Sequence, residues 1–338
     1  MKQSHKSNIS RHIKTTWRLS SSAILRLSDF NATIRAISKS EAEELNKEAQ
    51  KNNTFIRYPY GNPFYPLRIL NLSDKTIIEI FKPGRPSDIG NSLDSLSNII
   101  ENVALALGVL LLTRTQFQKR LAIGNDIGKD FDVTIGPSYK SFRSRSKRDK
   151  TPKGILIDDR FVSCFHNNGF VKLLHYCQSN AEMPQRVITS LNWLIDSMQE
   201  VSLTAAFVKT SIALESLLIF NDNEPLSRSL SERCAYILSS YSDIRRKVAK
   251  IIRDFYDARS GIVHGGRKKS ELISPKLLDL VNRILILIIL ILSANEKKWS
   301  TKDELREWCE NQKWDVSDIR ISRPFNDRFI KCFSKYQS

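Results

Sequence analysis

The segment Asp254–Gly266 (DFYDARSGIVHGG) sets an arginine, Arg259, and a histidine, His264, five positions apart. A guanidinium grips a phosphate through its planar fork and stabilises negative charge growing on the phosphate oxygens. An imidazole titrates near neutrality, so it can take a proton from a ribose 2′-OH or give one to a 5′-oxygen leaving group. Together the two groups suit metal-independent cleavage of an RNA phosphodiester, with a 2′,3′-cyclic phosphate and a 5′-OH as products. Five steps of an ideal helix turn through about 500°, which leaves the two positions about 140° apart. Gly261 between them permits a bend or a helix break, and Gly265 and Gly266 let the backbone leave at once. The pattern therefore predicts a guanidinium and an imidazole on a turn after a helix. By spacing alone, a surface arginine and a helix-terminal histidine are the commoner meaning of such a pair.

The elements that must carry this pair are helical. From Pro184 onward, apolar residues recur at helical spacing. A first helix is expected over about 186–200 (Val187, Leu191, Leu194, Ile195, Met198) and a second over about 203–220 (Phe207, Leu214, Leu217, Leu218). A third spans about 226–240 (Leu226, Leu230, Cys234, Ile237, Leu238), and a fourth starts near Asp243 (Val248, Ile251, Ile252, Phe255). Ser274 as N-cap and Pro275 at the first turn open a fifth helix to about Ala294. Ile284–Leu292 is apolar on nearly all sides, which places that helix in the middle of a bundle or at a subunit interface. It is too short for a membrane span, and so is Val103–Leu112. Thr301 and Glu304 form a capping-box pattern at the head of a tail helix.

Three stretches resemble the Apea-like branch of the HEPN superfamily, in the expected order. They are RVITSLNWLIDSM (186–198), FVKTSIALESLLIF (207–220) and FYDARSGIVHGG (255–266). The last carries the branch's Y-x-x-R-S-x-I-V-H-G signature and is the most specific. The resemblance implies a helical bundle that dimerises, with the R-x4–6-H motifs of two protomers meeting in one composite RNase site. Arg259 and His264 match that motif. Ser260 stands after the arginine, where many relatives carry another polar residue, and Ser260 and Gly261 take supporting places. Glu215 matches the acid of the second stretch, either holding Arg259 or standing as an ordinary exposed helix acid. The branch resembles phage-defence and toxin RNases, so a conditional toxin acting on RNA, tRNA among the candidates, is expected. The runner-up is a non-catalytic module that dimerises or binds nucleotide or nucleic acid.

Charge agrees with a polyanionic partner. The chain has 338 residues and 53 Lys+Arg against 36 Asp+Glu, a net charge of +17 with histidine neutral. Near the motif lie Arg245, Arg246, Lys247, Lys250 and Arg253 before it and Arg267, Lys268 and Lys269 after it. Residues 138–153, with Arg143, Arg145, Lys147 and Arg148, read as a mobile basic loop. These cations could track an RNA backbone or form solvated faces.

The expected fold class is α+β: residues 1–150 a mixed α/β domain, 151–185 a strand-like connector, 186–295 the bundle and 296–338 a helical tail. The basic first 28 residues read as an arm rather than a transit peptide. Phe55–Tyr65 suggests strand and turn, Thr76–Phe81 a strand, and Ser92–Leu112 a helix. Phe161–Cys177 reads as strands around an Asn168-Gly169 hairpin turn. Within it, Cys164, His166, His175 and Cys177 offer zinc-type side chains at no familiar spacing, so no metal and no cofactor are expected. Five scattered cysteines describe no disulfide scaffold and fit a reducing cytoplasm. KPGRP at 82–86 lacks the spacing of a phosphate-cradling loop, and there is no Gly-x-Ser-x-Gly elbow. The first 150 residues would then sense a phage or cellular trigger.

Overall fold

A computed structural model of the chain describes residues 8–14, 18–19, 24–36, 40, 43, 76–82, 90–111, 130–135, 140–145, 156–221, 223–264 and 273–312. The chain divides into two compact units, Met1–Gly108 with Thr115–Val171, and Val109–Arg114 with Lys172–Ser338.

Among the described residues the first unit holds eight strands: β1 (Asn8–Lys14), β2 (Arg18–Leu19), β3 (Leu25–Leu27), β4 (Ala32–Ala36), β5 (Thr76–Lys82), β6 (Asp130–Ile135), β7 (Lys140–Arg145) and β8 (Leu156–Ile157). Six of them form one sheet in the order β3-β4-β5-β1-β6-β7, and β2 pairs with β8 in a parallel two-stranded ladder. Every pairing in the larger sheet is antiparallel. Asn31 makes the turn from β3 to β4 in the left-handed region at φ 47°, a conformation asparagine tolerates better than most side chains. The strand at Thr76 and the helix α1 (Gly90–Leu111) lie where hydrophobic spacing predicts them. Phe55–Tyr65 lies outside the described residues.

Three expectations change in this unit. Residues 8–14 of the basic N-terminal segment are no free arm: as β1 they sit between β5 and β6 and pair with both. Strand pairing is set by backbone groups on both sides, which composition does not report. The 138–153 stretch is likewise not a loop throughout, because Lys140–Arg145 forms the edge strand β7. Arg143 stands opposite Asp132 and Arg145 opposite Asp130 in that ladder. Lys147 and Arg148 lie outside the described residues.

Third, Phe161–Cys177 is helical. Helix α2 (Asp159–Asn167) starts where the Asp158 side chain accepts the Phe161 N–H at 2.8 Å. Gly169, at φ 83°, then stops it in a left-handed conformation, and α3 (Phe170–Tyr176) follows. An Asn-Gly pair fits a helix stop as well as a hairpin turn. Phe161, Phe165, Phe170, Leu173 and Leu174 are buried at helical spacing, which decides between the two.

The second unit is a helical bundle: α4 (Glu182–Gln199), α5 (Leu203–Leu218), α6 (Leu226–Leu238), α7 (Ser242–His264), α8 (Pro275–Ala294) and α9 (Lys302–Asn311). Helices α4 and α5 run antiparallel, as Ser190 donates to the Ala213 carbonyl and Ser197 to that of Ala206, both at 2.8 Å. The apolar stripes expected on α4 and α5 are buried in full. Ser274 caps α8 with Pro275 in its first turn, and Thr301 with Glu304 completes the capping box of α9. Helix α8 alone among the described residues is long and apolar enough to cross a membrane, yet 78% of its apolar window is buried. Its faces are taken up by α4, α5, α6 and α7. Each fully buried Leu or Ile there contributes about 1.5–3 kcal/mol. Asn282 brings a polar side chain into the buried middle of that helix, and it is satisfied: its Oδ1 accepts from Thr210 at 2.8 Å and its Nδ2 points to the Met198 sulfur at 3.2 Å.

Candidate active site

Helix α7 carries the Arg259–His264 motif, and it differs from expectation in one respect. It runs unbroken from Ser242 to His264, with no break or exit at Gly261. Gly261 is buried, so its missing side chain serves close packing inside the helix. His264 is the last helical residue, about 140° around the axis from Arg259. The structure describes the backbone of His264 but not its side chain.

Arg259 is placed by the packing of α7 on α5. Phe255 stacks on Phe207 at 5.0 Å between ring centroids, and both rings are fully buried. One residue on, the Tyr256 hydroxyl donates to Glu215 Oε1 at 2.9 Å and stands 3.4 Å from the Ser211 carbonyl. The same carboxylate oxygen lies 3.8 Å from Arg259 Nη2, in ion-pair range but beyond a hydrogen bond. Both charged side chains are about a quarter exposed, at 24% each. Arg259 Nε is buried with no acceptor among the described residues. Burial first, then the Glu215 charge and the bond to it, push the Tyr256 phenol above its usual range, so it remains a proton donor. Glu215 thus lies beside Arg259; Tyr256 was not singled out from the sequence, although it belongs to the signature stretch. Ser260 is half-buried on α7.

A second cluster fixes the end of α5, and sequence reasoning missed it. Arg186 bonds to the carbonyls of Leu217 and Ile219. Arg233 donates to the Leu218 carbonyl at 2.6 Å and to Glu224 Oε2 at 2.5 Å. Both guanidiniums lie over the Phe220 ring, at 5.7 and 4.3 Å from its centroid. These cations meet the C-terminal carbonyls of α5, where the helix dipole favours positive charge. Burial raises the Glu224 carboxyl, but the Arg233 bond and charge and the Asn221 N–H outweigh it, so the net shift is downward. A carboxyl held below its unfolded value stabilises the fold above that value. Stability should therefore fall as pH drops below the ordinary glutamate range, and an acid titration of thermal unfolding that loses this slope in Glu224→Gln checks it.

The basic residues divide. Arg245 is drawn inside: its guanidinium donates to the Ser239 carbonyl at 2.6 Å and to Gln312 Oε1 at 3.0 Å, and lies 5.0 Å over the Tyr236 ring. It ties α6 to the end of α9, so its donors are engaged within the protein. Arg246, Lys247, Lys250 and Arg253 are exposed on α7. Arg246 pairs with Asp243 at 2.5 Å and Lys250 with Asp254 at 2.8 Å, so that face is partly neutralised. Arg267, Lys268 and Lys269 lie outside the described residues.

The four zinc-type side chains do not converge: Cys164 and His166 lie on α2, His175 on α3 and Cys177 just after it. Among the described residues no group of three or more His, Cys, Asp or Glu could hold a metal ion. Burial pushes the Cys177 thiol up to about 12, and Cys234 and Cys309 are buried as well, while Cys164 is half-exposed. Among these four, iodoacetamide at neutral pH should label Cys164 first and the others only on unfolding. Peptide mass spectrometry checks the order.

Residues 189–303 match the family model described as Apea-like HEPN. No match was found among curated proteins or among solved structures. The matched span contains α5, α6, α7 and α8 whole, with Glu215, Arg259 and His264 inside it. It supports, in general terms, a HEPN-type nuclease or nucleotide-binding module. Over residues 189–303 the C-terminal half of the chain is thus similar to the Apea-like HEPN family.

Proposed function

We propose that the chain is a metal-independent endoribonuclease of HEPN type, acting as a conditional toxin or phage-defence effector. The observation that carries the reading is the state of Arg259. It is anchored on a rigid helix, held near Glu215 at 3.8 Å rather than locked to it, and partly exposed. Such a guanidinium keeps donors for a phosphate. His264 supplies the proton transfer, from the 2′-OH to the leaving 5′-oxygen.

The unbroken α7 favours a site shared with a second copy. On ideal helix geometry, two positions about 140° apart do not turn toward one phosphate. A twofold axis beside the end of α7 brings Arg259 of one protomer toward His264 of the other, and isologous pairing of this kind is the commonest oligomer symmetry. Val263, 50% exposed on the last turn of α7, is an apolar group such an interface would cover. Exposed cations on α7 would follow the RNA backbone, and the first unit would restrain or trigger cutting.

The test is incubation of the purified chain with tRNA and with total RNA in EDTA. Cleavage leaving 2′,3′-cyclic phosphate ends is expected. RNA binding without cleavage, in a protein that is also non-toxic on expression, would favour the non-catalytic module. A species that cuts RNA as a monomer by light scattering would overturn the composite site.

A further inference from the structure

We infer that Tyr256 is a positioning residue for Arg259, acting through Glu215; the inference rests on the reading of Arg259 as the phosphate-binding group. Three observations carry it. The Tyr256 hydroxyl and the Arg259 guanidinium address the same carboxylate oxygen, Glu215 Oε1. The tyrosine holds the hydrogen bond, at 2.9 Å, while the arginine stands off at 3.8 Å. Tyr256 is itself 5% exposed and wedged by its ring against Phe255, so its hydroxyl has little freedom to move.

The consequence is a divided carboxylate. A half-buried glutamate beside an arginine tends to close into a direct, often two-pronged pair. Such a pair would occupy the fork that a phosphate needs. With the tyrosine satisfying Oε1, the carboxylate stays back, and the arginine keeps the neighbouring charge without losing its donors. Remove the hydroxyl and Arg259 Nη2 still stands within ion-pair range of Oε1. The guanidinium then folds onto Glu215 and away from the phosphate.

This predicts coupling, because the hydroxyl matters only while residue 215 is a carboxylate. The experiment uses the full chain as parent, Tyr256→Phe, Glu215→Gln and the double variant, with two readouts. One is steady-state cleavage of tRNA. The other is the rate at which phenylglyoxal modifies Arg259, followed by peptide mass spectrometry. Tyr256→Phe should lower kcat/KM about tenfold, the scale of a lost hydrogen bond to a charged group. It should slow Arg259 modification several-fold as well. In the Glu215→Gln background, the same Tyr256→Phe change should alter each readout by less than about twofold, because non-additivity marks groups that act as one unit. A tyrosine that serves only to pack the helices would give equal losses in both backgrounds, and that result overturns the inference. So does an unchanged modification rate in Tyr256→Phe alone. A parent that cuts no RNA sinks the nuclease reading, while the labelling arm still decides the positioning role.

Discussion

Arg259→Ala and His264→Ala should each lower RNA cleavage by about 10³-fold or more, while leaving the fold and the dimer intact. The scale follows from what each group supplies: a charge-stabilising donor contributes about 10²–10³, and a positioned acid–base about 10²–10⁴. Arg259 makes no hydrogen bond to Glu215, so its truncation breaks no bond to that carboxylate. His264 is the last residue of α7, where a helix end tolerates change better than its middle. Arg259→Lys should recover only a small part of the activity, since a point charge does not reproduce the planar fork. Initial rates of tRNA cleavage in EDTA, with circular dichroism and light scattering as controls, make the comparison. If either alanine variant cuts RNA at the parental rate, the pair is not the catalytic centre. Mixing the two inactive variants adds a sharper check. Heterodimers that pair an intact arginine with an intact histidine across the axis should regain measurable cleavage.

The largest stability effect should come from Arg233→Met. Arg233 and Glu224 are 11% and 12% exposed, and their contact is 2.5 Å. Removing one partner of a buried ion pair leaves the other desolvated, at a cost of about 3–5 kcal/mol. The same change frees the Leu218 carbonyl and strips the cation from the Phe220 ring. Methionine keeps most of the side-chain volume, so the loss reads the charge rather than a cavity. Urea unfolding followed by tryptophan fluorescence, with Trp193, Trp299 and Trp308 all in the helical unit, checks the size. Glu224→Gln in the same chain should return part of the loss, because no uncompensated carboxylate then remains. A midpoint unmoved by Arg233→Met would mean that the clamp contributes nothing to the end of α5. Because Glu215 lies one turn before that end, a frayed α5 should also weaken the hold on Arg259, and cleavage should fall with stability.

Local chemistry was legible from the residues. Apolar spacing on α4, α5, α6 and the first part of α7 decided which faces are buried, since a helix repeats every 3.6 residues whatever surrounds it. Ser274 with Pro275, and Thr301 with Glu304, marked helix starts because the bonds they make reach only three residues along the chain. The Arg259–His264 motif with the sequence around it pointed to the family whose model matches residues 189–303.

Tertiary structure decided what depends on partners far along the chain. Asn168-Gly169 fits two local conformations, and burial of Phe161, Phe165 and Phe170 selected the helical one. Arg11 and Lys14 became strand residues once β5 and β6 had flanked β1. Gly261 allowed a break, but α7 passes through it as a buried residue of a continuous helix. The contacts that place Arg259 join residues about forty apart, from Ser211 and Glu215 to Tyr256. Sequence periodicity reports the environment of one residue at a time. Which donor reaches a shared carboxylate oxygen first is a property of two helices packed together, and it exists only in the folded chain.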